Sequence, residues 1–296
     1  MDIIFIKENA MAFDGITVAA ITKQLSDATK NTRIYKIAQP EADELLLTIK
    51  GNSTQFRILM SANASLPLIY KTLDNKTSPV NAPNFCMLLR KHLSNAKILS
   101  VTQPGLERII EFTLEHLDEM GDICQKKLIV ELMGKHSNII FTDDKGTIID
   151  SIKHISHNVS SVREVLPGRE YFVPNADEKK NPLTLDKETF IDVVKNAHLP
   201  LQKALYTTLT GFSPIMASEV IYRANLDSDA SSSSLSDSEI ENLYSSFESI
   251  VCDIKAGNFA PEVVYEGSAP KEYAVLPLTV YSELRKQKYD DISGLL

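Results

Sequence analysis

Two short groups of polar side chains in this sequence have the composition that contacts with a nucleic-acid backbone require. Residues 90–92 place an arginine, a lysine and a histidine side by side, and an arginine fork can bind a phosphate through two hydrogen bonds. Residues 134–138 form a glycine turn that would present several donors at one point, as recognition of RNA uses. Either group could also be an ordinary solvated surface. The candidate contacts are Arg90, Lys91, His92, Lys135, His136, Ser137 and Asn138.

Three other sites carry charge or turn geometry without a decided role. Asp14 precedes Gly15 and an apolar-periodic segment, which is typical of a helix N-cap. Glu107 and Arg108 are adjacent and could be a charged pair on an exposed strand face. Residues 210–214, TGFSP, resemble the turn of a helix-hairpin-helix, whose backbone N–H groups can meet a phosphate. The usual second glycine is a serine here, so a purely structural helical hairpin stays open.

The sequence contains none of the short motifs of several enzyme classes. No GxSxG, P-loop, GxGxxG or HExxH pattern is present, so hydrolase, NTPase and dehydrogenase activities have no support. His154 and His157 have no further ligands at metal-binding spacing, so we expect no metal and no cofactor. Cys86, Cys124 and Cys252 are far apart and odd in number, which predicts reduced, buried thiols rather than a disulfide framework.

Alternating and apolar runs predict two kinds of structure that position these groups. Short β-branched runs separated by turn signals extend through residues 1–176, and they are interrupted by two helical segments. One of these helices starts after Pro83 with Asn84 as its cap. The pattern then becomes helical, and a last helix ends at Gly257 before short strands. The predicted class is α+β, with an antiparallel β-rich domain first, a helical region next and a short β-containing segment at the end.

Length and charge limit the function further. The 296 residues suffice for about two domains, and 43% hydrophobic with 24% charged residues is a globular composition. The net charge of −8 arises in residues 182–296, where 9 basic residues face 17 acidic ones. Nucleic-acid binding would therefore depend on local groups rather than on bulk charge. The start lacks a secretory signal and no apolar run approaches the ~20 residues of a membrane span, so we expect a cytoplasmic protein without an integral membrane segment.

The order and approximate spacing of several segments resemble the N-terminal domain of the NFACT family. The segments are MAFDG, FCMLLRKHL, QPGLERIIEF, KKLIVELMGKHSNIIF and IIDSIKHI followed by SSVREVLPGREYFVP. GKHSN and LPGxxY are the most specific of them, and the resemblance covers nearly the whole chain. Bacterial members of this family are ribosome quality-control tailing factors of the RqcH type, also called fibronectin-binding or FbpA-like proteins.

The resemblance implies a role on ribosomes whose nascent chain is stalled. Members of the family bind the obstructed large ribosomal subunit, recruit a tRNA (alanyl-tRNA in bacteria) and support extension of the nascent chain without mRNA. The ribosome makes the peptide bonds, so the resemblance implies a tRNA-positioning protein and not an enzyme. It also implies a first domain similar to that of formamidopyrimidine-DNA glycosylases, followed by a helix-hairpin-helix. Those enzymes use an N-terminal proline as nucleophile, and Asp2 at this position argues against base excision.

The resemblance also assigns roles to particular residues. Asp14 and the pair Glu107-Arg108 correspond to tRNA-handling residues, although the family's usual pair is Asp-Arg and Glu107 carries its charge one methylene farther out. Arg108 is the strongest candidate, because a planar, permanently charged fork suits a phosphate or a base edge. Residues 131–133 correspond to a segment linked to tailing. The candidates are therefore Asp14, Glu107, Arg108, Glu131, Leu132 and Met133, with Arg163 as an additional possible RNA contact.

The domain prediction has four parts. They are a β-rich domain at 1–176, a helix-hairpin-helix region at 182–226, a Ser/Asp-rich loop at 227–238 and a helix with short strands at 239–296. Full family members continue into a long coiled coil, so the resemblance implies that this chain is part of a longer protein.

Two other functions remain open. A fibronectin-binding surface adhesin would need unconventional export, and a damaged-DNA binder would prefer lesion duplexes to tRNA.

Overall fold

The computed structural model describes residues 13–158, 160, 163–173 and 178–296. Residues 1–12, which include Asp2 and the start of the predicted β-rich domain, lie outside this part of the chain. The described residues form two compact units, one of residues 13–20, 105–107 and 178–296 and the other of residues 21–104 and 108–173. The boundary at residue 176 stays a prediction. In the structure, residues 13–20 and 105–107 belong to the same unit as residues 178–296.

The unit of residues 21–104 and 108–173 is built on one nine-stranded sheet. The spatial order of its strands is β4-β3-β2-β1-β5-β6-β7-β8-β9, and neighbouring strands are antiparallel. The predicted α+β class with an antiparallel β-rich first part is therefore confirmed. The strands are β1 (Arg33–Ala38), β2 (Glu44–Lys50), β3 (Gln55–Ser61), β4 (Leu68–Thr72), β5 (Lys97–Thr102), β6 (Ile109–Leu117), β7 (Ile123–Glu131), β8 (Asn138–Asp143) and β9 (Ile148–Ser151).

The longest ladder of the sheet joins β6 and β7. It extends over nine residue pairs, from Ile109 opposite Glu131 to Leu117 opposite Ile123. The buried face includes an isoleucine-rich cluster of Ile109, Ile129, Ile140, Ile148 and Val165. Burying each such side chain contributes about 1.5–3 kcal/mol, and a slip of one residue would turn the set toward solvent. The apolar pattern thus fixes the register that places Glu131 beside the start of β6.

Two helices belong to this part of the sequence, α1 (Gly15–Ala28) and α2 (Asn84–Leu93). The apolar face of α2, which includes Phe85 and Leu89, is buried. The prediction that Asn84 caps α2 is wrong. Asn84 is the first helical residue, Pro83 occupies the N-cap position, and no side chain caps the helix. Pro83 has a φ of −59° and a ψ of 157°, the extended conformation that an N-cap residue adopts.

The three cysteines are free, as the sequence predicts, but only Cys86 is buried. Cys124 is partly exposed on β7, and Cys252 is exposed on a later helix. The prediction of buried thiols is therefore wrong for Cys252 and only partly right for Cys124. In β7 and in α6, other apolar side chains of the element are buried in the core, and these two cysteines are not.

The second unit contains four main helices, α3 (Lys187–Lys195), α4 (Leu201–Thr208), α5 (Pro214–Arg223) and α6 (Asp237–Ala256). The rings of Phe190 in α3 and Phe247 in α6 stack with centroids 4.4 Å apart. Residues 209–213 join α4 to α5, so the predicted helical hairpin is present. Ser236 and Glu239 form a capping box at the start of α6, and Gly257 ends the helix with a φ of 71°.

A small sheet and a short helix complete the second unit. The strands β10 (Glu262–Glu266), β11 (Ala269–Ala274) and β12 (Arg285–Lys288) have the order β11-β10-β12, and α7 (Ile292–Leu295) follows. Buried Glu219 of α5 accepts hydrogen bonds from the hydroxyl of Thr279 at 2.6 Å and the N–H of Val280 at 2.9 Å. Burial alone would raise the pKa of Glu219, but these bonds hold it below its ordinary value. Within the described residues, no helix has the length and apolar character that crossing a bilayer requires.

Candidate functional site

Asp14 caps α1 and also contacts the turn of the helical hairpin. Its Oδ1 accepts the N–H of Thr17 at 2.7 Å, which is the N-cap geometry that the sequence predicts. Its Oδ2 accepts the hydroxyl hydrogen of Ser213 at 2.6 Å. The carboxylate is therefore held from two directions. We call Asp14, Gly15, Leu106, Gly211 and Ser213 the Asp14 group.

Two glycines make the close approach within the Asp14 group possible. The N–H of Gly15 donates to the carbonyl of Gly211 at 3.0 Å. A Cβ atom on Gly15 would lie 2.0 Å from the carbonyl oxygen of Leu106 and 2.5 Å from the Cα of Gly211. Gly211 has a φ of 79°, and its Cβ would lie 2.6 Å from that same oxygen. Neither position has room for a side chain, so backbone contact connects the MAFDG segment to the TGFSP turn.

The surroundings of Asp14 disfavour its charge. Burial raises the pKa of this carboxyl, while the hydrogen bonds from Ser213 and Thr17 oppose the shift. A cavity of about 10 Å³ lies beside it, lined by residues that include Thr17, Met216 and Tyr273. This volume is enough for about one water molecule. The Asp14 group is therefore a tightly packed turn with one partly buried carboxylate rather than a ligand-sized pocket.

Arg108 lies immediately before β6 and is half-buried, as is Glu107. The carbonyl of Arg108 accepts the N–H of Leu132 at 2.8 Å, so the structure brings together two segments that the sequence predicts to handle tRNA. Within the described residues, the guanidinium of Arg108 makes no hydrogen bond or ion pair. Its backbone is thus fixed while its five N–H donors remain available.

Glu131 and Arg163, two further predicted residues, are bound to each other. Glu131 is fully buried, and its carboxylate accepts from Nη2 of Arg163 at 2.5 Å and from the hydroxyl of Tyr171 at 3.1 Å. Arg163 also donates to the carbonyl of Phe172 at 2.8 Å. Burial raises the pKa of Glu131, and the charge and hydrogen bond of Arg163 oppose this shift. The pair is therefore placed to fix the end of β7 from within the protein.

The residues that follow β7 divide into inward and outward groups. Leu132 is buried, and Met133 packs against the isoleucine-rich cluster. Ser137 accepts the N–H of Met133 at 2.8 Å, and Asn138 donates to the carbonyl of Lys153 at 2.9 Å, so both polar side chains are buried and bound within the protein. Of the predicted turn contacts, the exposed ones are Lys135 and His136. RNA contact by this turn stays a prediction.

The side chains of residues 90–92 on α2 are less available to a ligand than the sequence predicts. Nε of Arg90 donates to the carbonyl of Ile37 at 2.9 Å. The ring of His92 lies against Phe141, and burial, followed by nearby positive charges, lowers its pKa. Lys91 is exposed and forms an ion pair with Glu119 at 2.7 Å, which is a weak interaction in water. Lys91 is therefore the residue of this group most accessible to an anionic partner.

Two residues of these groups have no predicted role in the sequence. Ser213 is noticed there only as a replacement for a glycine, and its partner Asp14 is 199 positions away. Tyr171 is the last residue of the LPGxxY motif, and this motif is the sequence signal that could have identified it. Among the described residues, no group of three or more His, Cys, Asp and Glu side chains could hold a metal ion.

Comparison with known proteins decides the family. The family described as "NFACT N-terminal and middle domains" matches residues 14–296. The chain belongs to this family. The NFACT resemblance predicted from the sequence motifs is therefore confirmed.

Three relatives show the extent of the likeness within the NFACT family. "Rqc2 homolog RqcH" of Bacillus subtilis is 32% identical over 287 residues, which cover 97% of this chain and 48% of that protein. Human "Ribosome quality control complex subunit NEMF" is 22% identical over 60% of this chain and 16% of its own length. The solved N-terminal part of the fibronectin/fibrinogen-binding protein of Streptococcus suis has a TM-score of 0.78 and 30% identity, over 96% of this chain and 97% of that one. This chain thus spans about half the length of its bacterial relative.

Proposed function

We propose that this chain is the part of a ribosome-associated quality-control factor that binds tRNA and the large ribosomal subunit. In this function it supports alanine tailing of stalled nascent chains in the cytoplasm, and the ribosome makes the peptide bonds. Its membership of the NFACT family supports the proposal, together with its similarity to RqcH and to a subunit of a ribosome quality control complex. The protein therefore acts by positioning tRNA and not as an enzyme.

The available guanidinium of Arg108 is the observation that carries this proposal. Most arginines that stabilise a fold direct their donors to carboxylates or carbonyls, as Arg163 does here. Arg108 instead combines a fixed backbone with a side chain that has no described partner. Such a fork can bind a phosphate or the edge of a guanine through two hydrogen bonds. We therefore assign Arg108 the main tRNA contact.

Asp14 supplies the complementary chemistry in this proposal. Its carboxylate is partly buried and accepts from Thr17 and Ser213 in the contacts described above, and an ionised carboxylate has about four acceptor positions in all. Ribose hydroxyls and base amino groups are donors that such a carboxylate can accept from. The fixed orientation of Asp14 favours selective contact, because no side-chain freedom is lost on binding.

The other predicted residues have different roles in the proposal. Glu131 and Arg163 position the segment of Leu132 and Met133 through their buried pair, and they do not touch RNA. The exposed cations Lys91, Lys135 and His136 contribute less specific attraction for phosphates of tRNA or ribosomal RNA. The excess acidic charge lies in residues 182–296, so RNA contact is proposed for the preceding part of the chain.

A second candidate function is the binding of fibronectin at the cell surface. It is favoured by one observation, the likeness to a solved domain of a fibronectin/fibrinogen-binding protein. This function predicts a protein ligand and has no need of the available guanidinium of Arg108. It therefore differs from the first proposal in both ligand and site.

A binding panel separates these functions. The protein is titrated with unfractionated tRNA, with a duplex DNA that contains an abasic site, and with fibronectin, each at two salt concentrations. The proposal expects tRNA binding that weakens steeply with salt, because each phosphate contact releases counterions. It also expects that unlabelled tRNA displaces labelled tRNA and that fibronectin does not. Salt-insensitive binding of fibronectin without binding of tRNA would favour the adhesin, and preference for the abasic duplex would favour a DNA-lesion binder.

A further inference from the structure

A thiol and an imidazole face each other at the outer end of the β6–β7 ladder, in residues that the proposed tRNA contacts do not use. His116 and Cys124 are directly opposite in the register of the two strands. Directly opposed residues of an antiparallel pair have side chains on the same face of the sheet. Nε2 of His116 accordingly lies 3.1 Å from Sγ of Cys124.

The other ring nitrogen of His116 determines how the imidazole can act. Nδ1 lies 2.9 Å from the carbonyl oxygen of Leu117. A carbonyl oxygen only accepts, so this bond places the ring hydrogen on Nδ1 and leaves the lone pair of neutral histidine on Nε2. Two donors lie within hydrogen-bond distance of that lone pair, the thiol of Cys124 at 3.1 Å and the ammonium of Lys126 at 3.0 Å. A base oriented by a third group next to a thiol is the arrangement that activates a sulfur nucleophile.

Lys126 adds a positive charge at the same place. Its Nζ lies 3.0 Å from Nε2 of His116 and 3.8 Å from Sγ of Cys124. Because Lys126 follows Cys124 by two positions on β7, both side chains lie on one face of the sheet. When the thiol proton moves to Nε2, that nitrogen no longer accepts from Lys126, and the acceptor that remains within reach of the ammonium is Sγ of Cys124. The ammonium is thus placed to donate a hydrogen bond to the sulfur once the proton has left it.

Exposure makes this sulfur accessible while its base is protected. Cys124 is partly exposed, whereas His116 is 9% exposed and packs edge-on against His92 with ring centroids 6.1 Å apart. A small reagent in solution can therefore reach Sγ while the orientation of the ring is maintained by its neighbours.

We propose that Cys124 is a thiol–disulfide exchange site for low-molecular-weight disulfides, with His116 as its base. The thiol proton passes to Nε2 of His116, and the thiolate sulfur forms a bond with one sulfur of the disulfide. The S–S bond of the reagent breaks, and its second half leaves as a thiolate that takes up the proton. The products are a mixed disulfide on Cys124 and one free thiol, so the disulfide itself is the oxidant that the step consumes.

The other two cysteines provide internal controls. Cys252 is exposed, and its sulfur has no hydrogen-bond partner among the described residues. Cys86 is buried, and burial raises the pKa of its thiol. Accessibility alone would make Cys252 the most reactive of the three. Assistance by His116 makes Cys124 the most reactive.

The test uses dithiobis(nitrobenzoate), a disulfide whose released thiol is coloured. In the unaltered protein, peptide mapping by mass spectrometry after partial reaction identifies the cysteine that is modified first, which we expect to be Cys124. Stopped-flow measurements then compare the unaltered protein with Cys252→Ser, which should retain the fast phase, and Cys124→Ser, which should lose it. His116→Phe keeps a ring against His92 and should slow the fast phase by roughly tenfold or more.

Two results would overturn the proposal. One is faster modification of Cys252 than of Cys124 in the unaltered protein. The other is an unchanged Cys124 rate in His116→Phe protein whose melting temperature and circular dichroism match the unaltered protein. If His116→Phe does not fold, the mapping of the unaltered protein decides the question alone.

Discussion

Ser213 donates its hydroxyl hydrogen to Oδ2 of Asp14 at 2.6 Å, while the other oxygen of Asp14 caps α1. A residue in the turn of the helical hairpin thus orients the carboxylate at the start of a helix that is 199 positions away in the sequence. The serine that replaces a usual glycine in this turn has a specific partner. The stability of the protein should therefore depend on the close approach at Gly15 and on the charge of Asp14.

Gly15→Ala should destabilise the protein. The added Cβ would meet the carbonyl oxygen of Leu106 at 2.0 Å, which is backbone and cannot move aside cheaply. We expect a loss of at least about 1–3 kcal/mol in the free energy of unfolding, measured by guanidinium denaturation. Gly294→Ala is the matched control. Gly294 lies in α7, and a Cβ atom there would lie 3.4 Å from its nearest neighbour, Oδ1 of Asp291, which is an ordinary contact. This variant should be neutral or slightly stabilising. Equal stability of the two variants would contradict the close approach described here.

Asp14→Asn should gain stability relative to the unaltered protein as pH rises. The pKa of Asp14 is raised above its ordinary value of 3.8, so ionisation costs the folded state more than the unfolded state. This cost is absent at low pH and increases as pH rises from the unfolded value through the raised folded one. Asparagine keeps the N-cap and carries no charge. Unfolding by urea at several values between about pH 3 and pH 7 measures the difference.

Asp186→Asn is the control for this pH dependence, with the opposite sign. Asp186 caps α3 and accepts from the N–H of Thr189 at 2.8 Å, and this bond holds its pKa below the ordinary value. Its ionised form therefore stabilises the folded state, so Asp186→Asn should lose stability relative to the unaltered protein as pH rises. Two difference curves with the same slope would show that the surroundings of Asp14 do not disfavour its charge.

Arg163→Met should leave the buried carboxylate of Glu131 without its cation. We expect a loss of about 3–5 kcal/mol in unfolding free energy, because an unpaired charge remains in the core. Adding Glu131→Gln to this variant should recover part of the loss, since the amide oxygen can still accept from Tyr171. A double-mutant cycle in urea measures this coupling. Lys91→Met breaks the exposed pair with Glu119 and should change stability little.

Much of the fold is predictable from the sequence because its main strands and helices have strong local signals. The alternation in residues 109–117 and the glycine at residue 257 that ends α6 are read directly from residue types. Two strands lack such a signal. β4 follows Pro67 with a mixed sequence and is formed by pairing with β3, and β12 consists of the polar residues RKQK, which are held by pairing with β10. Their formation depends on partners that are distant in the sequence.

The candidate site is less predictable, because residue types do not indicate which way a side chain points. Arg163 and Arg108 are both isolated arginines in the sequence, yet one is bound to buried Glu131 and the other has no described partner. Ser137 and Asn138 lie in a turn that would present donors to a ligand, but both are buried. Strand register determines these outcomes, and it is a property of the whole sheet.

Arg108→Ala provides the most direct test of the proposed function. The affinity of the protein for unfractionated tRNA is measured by filter binding at two salt concentrations, with Arg57→Ala as the control. Arg57 is a half-buried arginine on β3, four strands from β6 in the sheet. We expect Arg108→Ala to weaken binding by roughly 1–3 kcal/mol and to make the salt dependence less steep, while Arg57→Ala leaves both unchanged. Equal tRNA affinity of the Arg108→Ala and unaltered proteins, with both folded, would contradict the assignment of Arg108 as the main tRNA contact.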